Sequence, residues 1–245
     1  MTNLSSFTNR TYRRFMKSED LITFNIKVME SDLMIQAESD LTEIVENKLI
    51  DLRYQLERYI EAHPKFKEVL VPIQVEEFAP KIIHKMVKSA LIAGVGPMAA
   101  IAGAVAEEIG EFISPFSTQW IIENGGDIFM KTAKERVSLI YAGDSPFSMK
   151  LGIKIKPEEK PIGICTSSAT VGHSKSFGRA DAVSVLSSSA ALSDAVATSL
   201  GNMVKKPSDI PKVLEFGIKL EGIKGILIIM DEEMGAIGEI ELTRI

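Results

Sequence analysis

Apolar residues change their spacing several times along this chain, and each change marks an element. Residues Leu21–Val28 and Leu33–Ala37 read as two short strands joined by the polar turn Met29-Glu30-Ser31-Asp32, an opening hairpin. From Asp40 the period lengthens. Leu41, Ile44, Val45, Leu49, Leu52, Leu56, Tyr59 and Ile60 recur at helical spacing, with Asp40 as cap, Glu43 placed to reach back to it, and His63-Pro64 as the stop. A second helix begins after Ala79 with Pro80 in its first turn, carries Ile83, Met86, Val87 and Leu91, and stops at Gly94. Gly96 to Ala106 then runs almost wholly in small side chains at helical spacing before Glu107 and Glu108, so its backbone can approach a neighbour closely.

Short β-like runs follow at Trp120–Ile122, Ile128–Lys131, Val137–Tyr141 and Met149–Ile155, separated by Gly-Gly-Asp and Gly-Asp-Ser-Pro turns, and predict an antiparallel meander. Gly163–Gly178, rich in glycine, serine and threonine, reads as a loop. Ala182–Leu186 reads as a strand, Ser189–Met203 as an Ala-rich helix, and Gly225–Met230 and Ile237–Leu242 as two last strands. No repeat period or proline-rich linker divides the chain. The pattern predicts one α+β domain over 1–245, an antiparallel sheet packed by helices, with the hairpin and first helix (about residues 20–63) against the core.

Composition narrows the function classes. With 245 residues, 45% of them apolar, the chain can fill a core of that size, and a net charge of −5 with no basic tract disfavours nucleic acid as a partner. The longest apolar run, Ser89–Val105, is broken by Gly94, Gly96, Pro97 and Gly103, whereas a membrane span needs about 20 uninterrupted apolar residues. Met1–Arg10 is polar and carries no export signal, and Cys165 is the sole cysteine; both features predict a reducing, cytoplasmic setting.

Three segments carry candidate chemistry. In Asn124-Gly125-Gly126-Asp127 the glycines expose backbone amides while Asn124 and Asp127 can hold a ligand hydroxyl or a cation; the same residues equally suit a hairpin turn. Between Gly163 and Arg179, the hydroxyls and amides of Thr166, Ser167 and Ser168, with Lys175, Arg179 and His173 for charge, suit a phosphate, although the spacing is not that of a Walker A loop. Asp194 and Thr198 stand four residues apart, so in a helix they share a face and offer the oxygen donors that magnesium favours. Cys165 is either a nucleophile or persulfide carrier beside His173, or an inert buried thiol. His63 and His84 lack metal-ligand spacing.

In chain order, Gly94-Val95-Gly96-Pro97-Met98-Ala99-Ala100, Glu123-Asn124-Gly125-Gly126-Asp127, Tyr141-Ala142-Gly143-Asp144-Ser145-Pro146, Cys165-Thr166-Ser167-Ser168 and Ala180-Asp181-Ala182 resemble a prokaryotic ApbE-related family, from about Tyr12-Arg13 to the final strands. That family is distantly similar to FAD:protein FMN transferases, which move FMN from FAD onto a protein threonine with magnesium, on a T-fold-like core. Asn124-Gly125-Gly126-Asp127 is similar to their Gly-Gly-Asp turn, and Ser193-Asp194-Ala195-Val196-Ala197-Thr198 to their Ala-Asp-Ala-Leu-Ala-Thr metal motif. The resemblance therefore implies a magnesium role for Asp194 and Thr198, FAD or FMN as ligand, a protein partner, and self-association. Two departures stand out: Gly103 where the transferases' Gly-Gly-Ile-Ala-Lys-Gly carries lysine, and only His173–Gly178 for their His-Ile-Ile-Asp-Pro-x-Thr-Gly. The resemblance also reaches sulfur assimilation and homocysteine formation. Three functions thus stand side by side: transferase-like nucleotide chemistry with His173 or Asp127 moving a proton, a sulfur-handling accessory role for Cys165, and a ligand-binding module without chemistry.

Overall fold

Strands that bury both faces require a layer on each side of the sheet, and the apolar run of Gly225–Met230 already demands this. A computed structural model of the chain describes residues 13, 18–169 and 178–245. Strands β1 (Ile22–Val28) and β2 (Ser31–Ala37) form the hairpin, closed by Met29-Glu30 with Met29 at φ 52°, the left-handed backbone that a two-residue turn uses. With β3 (Trp120–Asn124), β4 (Asp127–Lys131), β7 (Ile162–Ser167), β8 (Ala182–Ser187), β9 (Ile223–Met230) and β10 (Glu233–Gly238) they make an eight-stranded sheet in the order β1-β2-β3-β4-β7-β8-β9-β10. Every neighbouring pair is antiparallel.

Alternation along each strand sorts its side chains into two cores. Leu33, Ile35, Trp120, Ile122, Phe129, Val183, Val185, Ile226 and Ile228 face the helices. Those helices are α1 (Thr42–Ala62), α2 (Lys65–Glu68), α3 (Lys81–Ala93), α4 (Ile101–Ile113), α5 (Ala190–Met203) and α6 (Ile210–Gly217). On the other face Ile121, Ile128, Met130, Ile164, Leu227 and Ile229 meet Ile153 and Ile155 of a separate three-stranded sheet. That sheet consists of β5 (Arg136–Leu139), β6 (Leu151–Ile155) and β11 (Leu242–Arg244).

The expected α+β class, helices on an antiparallel sheet, is what the chain builds, with local corrections. The four runs from Trp120 to Ile155 are not one meander: β3 and β4 belong to the large sheet, β5 and β6 to the small one. The expected loop from Gly163 opens as strand β7, because its residues pair with β4 on one side and β8 on the other. Ile237–Leu242 spans the end of β10 and the start of β11, and α6 was absent from the sequence pattern as read. Among the described residues no single helix is long and apolar enough to cross a membrane.

Small residues let α4 and α5 sit close to the sheet. A Cβ built on Gly110 of α4 would lie 2.6 Å from the Trp120 ring, and one on Gly163 of β7 would lie 2.6 Å from the Ala190 backbone of α5. A charged knot fixes these helices to one another. Lys85 of α3 reaches Glu108 (2.7 Å), Glu107 (3.0 Å) and Glu111 (3.0 Å) of α4. The other oxygen of Glu107 accepts from Ser189 Oγ (2.6 Å) and the Ala191 N–H (3.1 Å), satisfying an orphan donor at the start of α5. Burial pulls the Lys85 ammonium down, but its carboxylates outweigh that and hold it above its usual range.

Candidate functional site

The turn between β3 and β4 is tight because Gly125 (φ 70°) and Gly126 (φ 105°) both adopt left-handed backbone, which glycine tolerates at little cost. Asn124 and Asp127 pair across it, so it is a hairpin turn as well as a wall of the site. Continuing the β4–β7 register beyond Ile128↔Ile164 sets Asp127 beside Cys165. Both side chains point to the helical layer, where α5 delivers Asp194 and the start of α4 delivers Ala102 and Gly103.

Two hydrogen bonds tie that corner. Asp194 Oδ2 accepts from the Gly103 N–H (2.9 Å), so a carboxylate of α5 supplies the acceptor that Ala100, at the N-cap of α4, does not. Asn124 Nδ2 donates to the Ala102 carbonyl (3.0 Å). Gly103 lies so close to α5 that a Cβ there would sit 2.2 Å from the Ala190 carbonyl oxygen. The backbone therefore has no room for a lysine at this position.

Electrostatically the corner is a crowded pair of acids. Burial pushes the Asp127 carboxyl up to about 7, and the charge of Glu123 pushes the same way, while the Cys165 thiol and the Thr166 N–H pull back. Asp194 is also raised, by burial first and then by Asp127, against the Gly103 and Ala102 amides. Asp194 retains some accessible surface, yet protein atoms crowd its carboxyl on most sides. Among the described residues neither carboxylate forms a salt bridge. The Cys165 thiol is fully buried, lies 3.2 Å from the Ala190 carbonyl oxygen and is within reach of Asp127; burial and the two acids push it well above its ordinary value.

A pH dependence follows. In the folded state Asp127 and Asp194 hold their protons above the ordinary carboxylate value of 3.8, whereas the unfolded chain releases them there. The Asp127 contribution to stability is complete below that value and is lost as pH rises to about 7, since the folded state then binds more protons than the unfolded one, and Asp194 acts in the same direction. Metal-free protein should lose thermal stability between about pH 5 and about pH 7, and Asp127→Asn should flatten that slope. A variant as pH-sensitive as the parent in a thermal scan would remove Asp127 from this role.

The remaining sequence candidates are spread differently. Thr166 turns its hydroxyl to Ser184 (2.8 Å) on the sheet face away from Asp194, and only its N–H serves Asp127. Ser167 lies beside Gly201 near the end of α5, Ser168 is half-buried, and Arg179 is exposed with its N–H on the Val204 carbonyl. Thr198 stands one turn beyond Asp194 and is half-buried. His173 and Lys175 lie outside the described residues. Sequence reasoning gave Glu123 no role, though a carboxylate inside the apolar run Trp120–Asn124 was a visible signal.

A groove of about 580 Å³ opens against this corner at Asn124 and Ala102. Leu56 and Ile60 of α1, Met98, and Ile101 and Val105 of α4 line it. Arg53 at its rim is engaged by Glu30, Glu57 (2.7 Å) and Ser31 (3.0 Å), and Lys67 lines the same groove together with Glu61.

Comparison with known proteins places this architecture. Residues 13–234 match the family described as AbpE bacteria. The chain belongs to that family. Among its relatives is a UPF0280 protein of Methanococcus aeolicus, 40% identical over 226 residues, covering 90% of this chain and 91% of the relative. The fold is that of solved flavin transferases. The Flavin Transferase ApbE from Vibrio cholerae superposes with a TM-score of 0.61 at 10% identity, over 89% of this chain and 96% of that one. The apo flavinyl transferase ApbE of Pseudomonas stutzeri gives 0.52 at 11%, over 89% and 94%. Membership of this ApbE-related family, distantly similar to the transferases, thus agrees with the motifs that first suggested it.

Proposed function

We propose that the Asp127–Asp194 corner binds a divalent cation together with a flavin or another pyrophosphate-bearing nucleotide, in a transferase-like site. One observation carries the reading: the buried Asp127 and the half-buried Asp194 lie close enough to repel, both driven toward their protonated forms and, among the described residues, without a salt bridge. Such a pair is costly unless it shares protons or receives a cation. Hard oxygen donors suit magnesium, which commonly takes one or two carboxylates and completes its shell with water and substrate phosphate. Asp194 and Thr198 would hold the ion, which when bound supplies positive charge for the phosphates. Among the described residues no group of three or more His, Cys, Asp or Glu side chains is placed to hold a metal ion, so the rest of the shell would have to come from water and the ligand.

The groove fits the other half of such a ligand. Its apolar walls suit a flat ring system, and Glu30, Glu57 and Glu61 outnumber Arg53 and Lys67 in its lining, which favours phosphates lying toward the cation instead. Asn124 fixes the Ala102 carbonyl at the junction, and Asp127, with a carboxyl near neutrality, is the group able to take or give a proton there. A sulfur-carrying role for Cys165 draws no support from its surroundings, which bury the thiol and disfavour the thiolate. The solved flavin transferases of similar fold support the nucleotide reading.

Calorimetric titration of metal-stripped protein with FAD, FMN and ATP, with and without magnesium, tests this. FAD is expected to bind only with magnesium. Asp194→Asn keeps an acceptor for the Gly103 N–H but halves the acid pair, and should weaken that binding by at least about tenfold. Failure of all three nucleotides to bind under either condition rejects the reading.

A further inference from the structure

The Asn124–Asp127 turn is held from the side of the sheet opposite the helices. Glu123, fully buried in β3, extends Oε1 to the Gly126 N–H (2.8 Å). Its Oε2 meets Arg13, 110 residues earlier in the chain, at 2.6 Å. The same guanidinium donates to the Asp32 carboxylate (2.6 Å) and the Asp32 carbonyl (2.8 Å) on β2. One planar fork therefore grips two strands and the residue that sets the turn, a geometry that arginine supplies and lysine does not.

A buried carboxylate that loses a guanidinium at 2.6 Å is held less firmly in its charged form and takes a proton or moves toward water more readily. Either response weakens or breaks its bond to Gly126, and Gly126 lies between the two side chains that define the corner, Asn124 and Asp127. We propose that Arg13 is a positioning residue of the site, acting through Glu123 to fix the turn that aims Asn124 and Asp127 at α4 and β7. The inference rests on the nucleotide reading only in treating this turn as a wall of the site.

Backbone amide exchange and the proton shift of Gly126 report the coupling directly by NMR, without nucleotide. In Arg13→Met, measured below its unfolding temperature, Gly126 should exchange roughly tenfold faster and its proton should move upfield as a charge-assisted bond is lost. Arg13→Lys should recover part of the protection. Glu123→Gln retains an oxygen for Gly126, and adding Arg13→Met to it should change exchange less than about twofold, because the residue through which Arg13 acts is already neutral. Unchanged Gly126 exchange in Arg13→Met, or an equal effect of Arg13→Met in both backgrounds, overturns the proposal. If Arg13→Met does not fold, Arg13→Lys and the Glu123→Gln background decide it. Nucleotide binding can fail while this coupling holds, and the reverse, so the two proposals stand or fall apart.

Discussion

Replacing Lys85 with methionine is expected to destabilise the protein by about 3–5 kcal/mol, the usual consequence of removing one partner from a buried ion cluster. For a chain of this length that lowers the thermal midpoint by roughly 10 °C. The Lys85 side chain is only 13% exposed, and the carboxylates of Glu107 and Glu108 beside it are 9% and 7% exposed, so water can replace little of the lost attraction. Lys81 touches Glu108 and Glu111 from a side chain that is 69% exposed, and Lys81→Met should cost no more than about 1 kcal/mol. Combining Lys85→Met with Glu107→Gln and Glu108→Gln should recover most of the loss, since neutral groups in that space carry no stranded charge. Differential scanning calorimetry of the four proteins decides the matter. A Lys85→Met midpoint within a degree or two of the parent would show that the cluster is far better hydrated than its geometry indicates.

Gly103→Ala is expected to be comparably damaging through sterics alone. The new Cβ would meet the Ala190 carbonyl oxygen at 2.2 Å, its carbon at 2.6 Å and Asp194 Cβ at 2.9 Å. Two of these are backbone atoms, so relief requires α4 and α5 to separate rather than a side chain to rotate. Overpacking of this kind costs about 1–3 kcal/mol, and stretching the Gly103–Asp194 hydrogen bond adds about 1 kcal/mol or more. Gly94 supplies the contrast: nothing lies within 4 Å of a Cβ there, and its φ of 72° leaves only the strain of a left-handed residue, about 1 kcal/mol. Urea unfolding of both variants, with the magnesium-dependent FAD titration on whichever remain folded, separates packing from function. Parent-like stability in Gly103→Ala would mean the seam between α4 and α5 yields easily. Gly103→Lys carries the same Cβ, so restoring the transferases' lysine at this position should fail for the same reason.

Much of this was legible where local chemistry decides structure. Pro80 and Gly94 bracket α3, and Ser189 caps α5 through the Leu192 N–H, so single residues announced those ends. What period-two alternation cannot reveal is which strand lies beside which. Val137 and Ile153 alternate as well as Ile121 and Phe129 do, yet they occupy the other sheet. Strand β7 was hidden because Gly163, Cys165, Thr166 and Ser167 are small and polar, and Gly163 is small because the backbone of α5 crosses there. The acids of the candidate site stood in recognisable motifs. Their partners did not: the Gly103 N–H is a backbone group, and Arg13 meets Glu123 across 110 residues, so neither has a signature in the sequence.

The division of the strands also shapes how the chain reaches this state. Strand β2 finds β3 only after four helices, α1 to α4, have been made, β4 must wait for β7 while β5 and β6 pass between them, and β6 closes with β11 near residue 242. During synthesis the face of the first four strands that packs on the small sheet therefore stands incompletely covered until β11 is made. Distant pairings of this kind slow folding and leave surfaces open to aggregation, so the newborn chain is most vulnerable to self-association until its second face is closed.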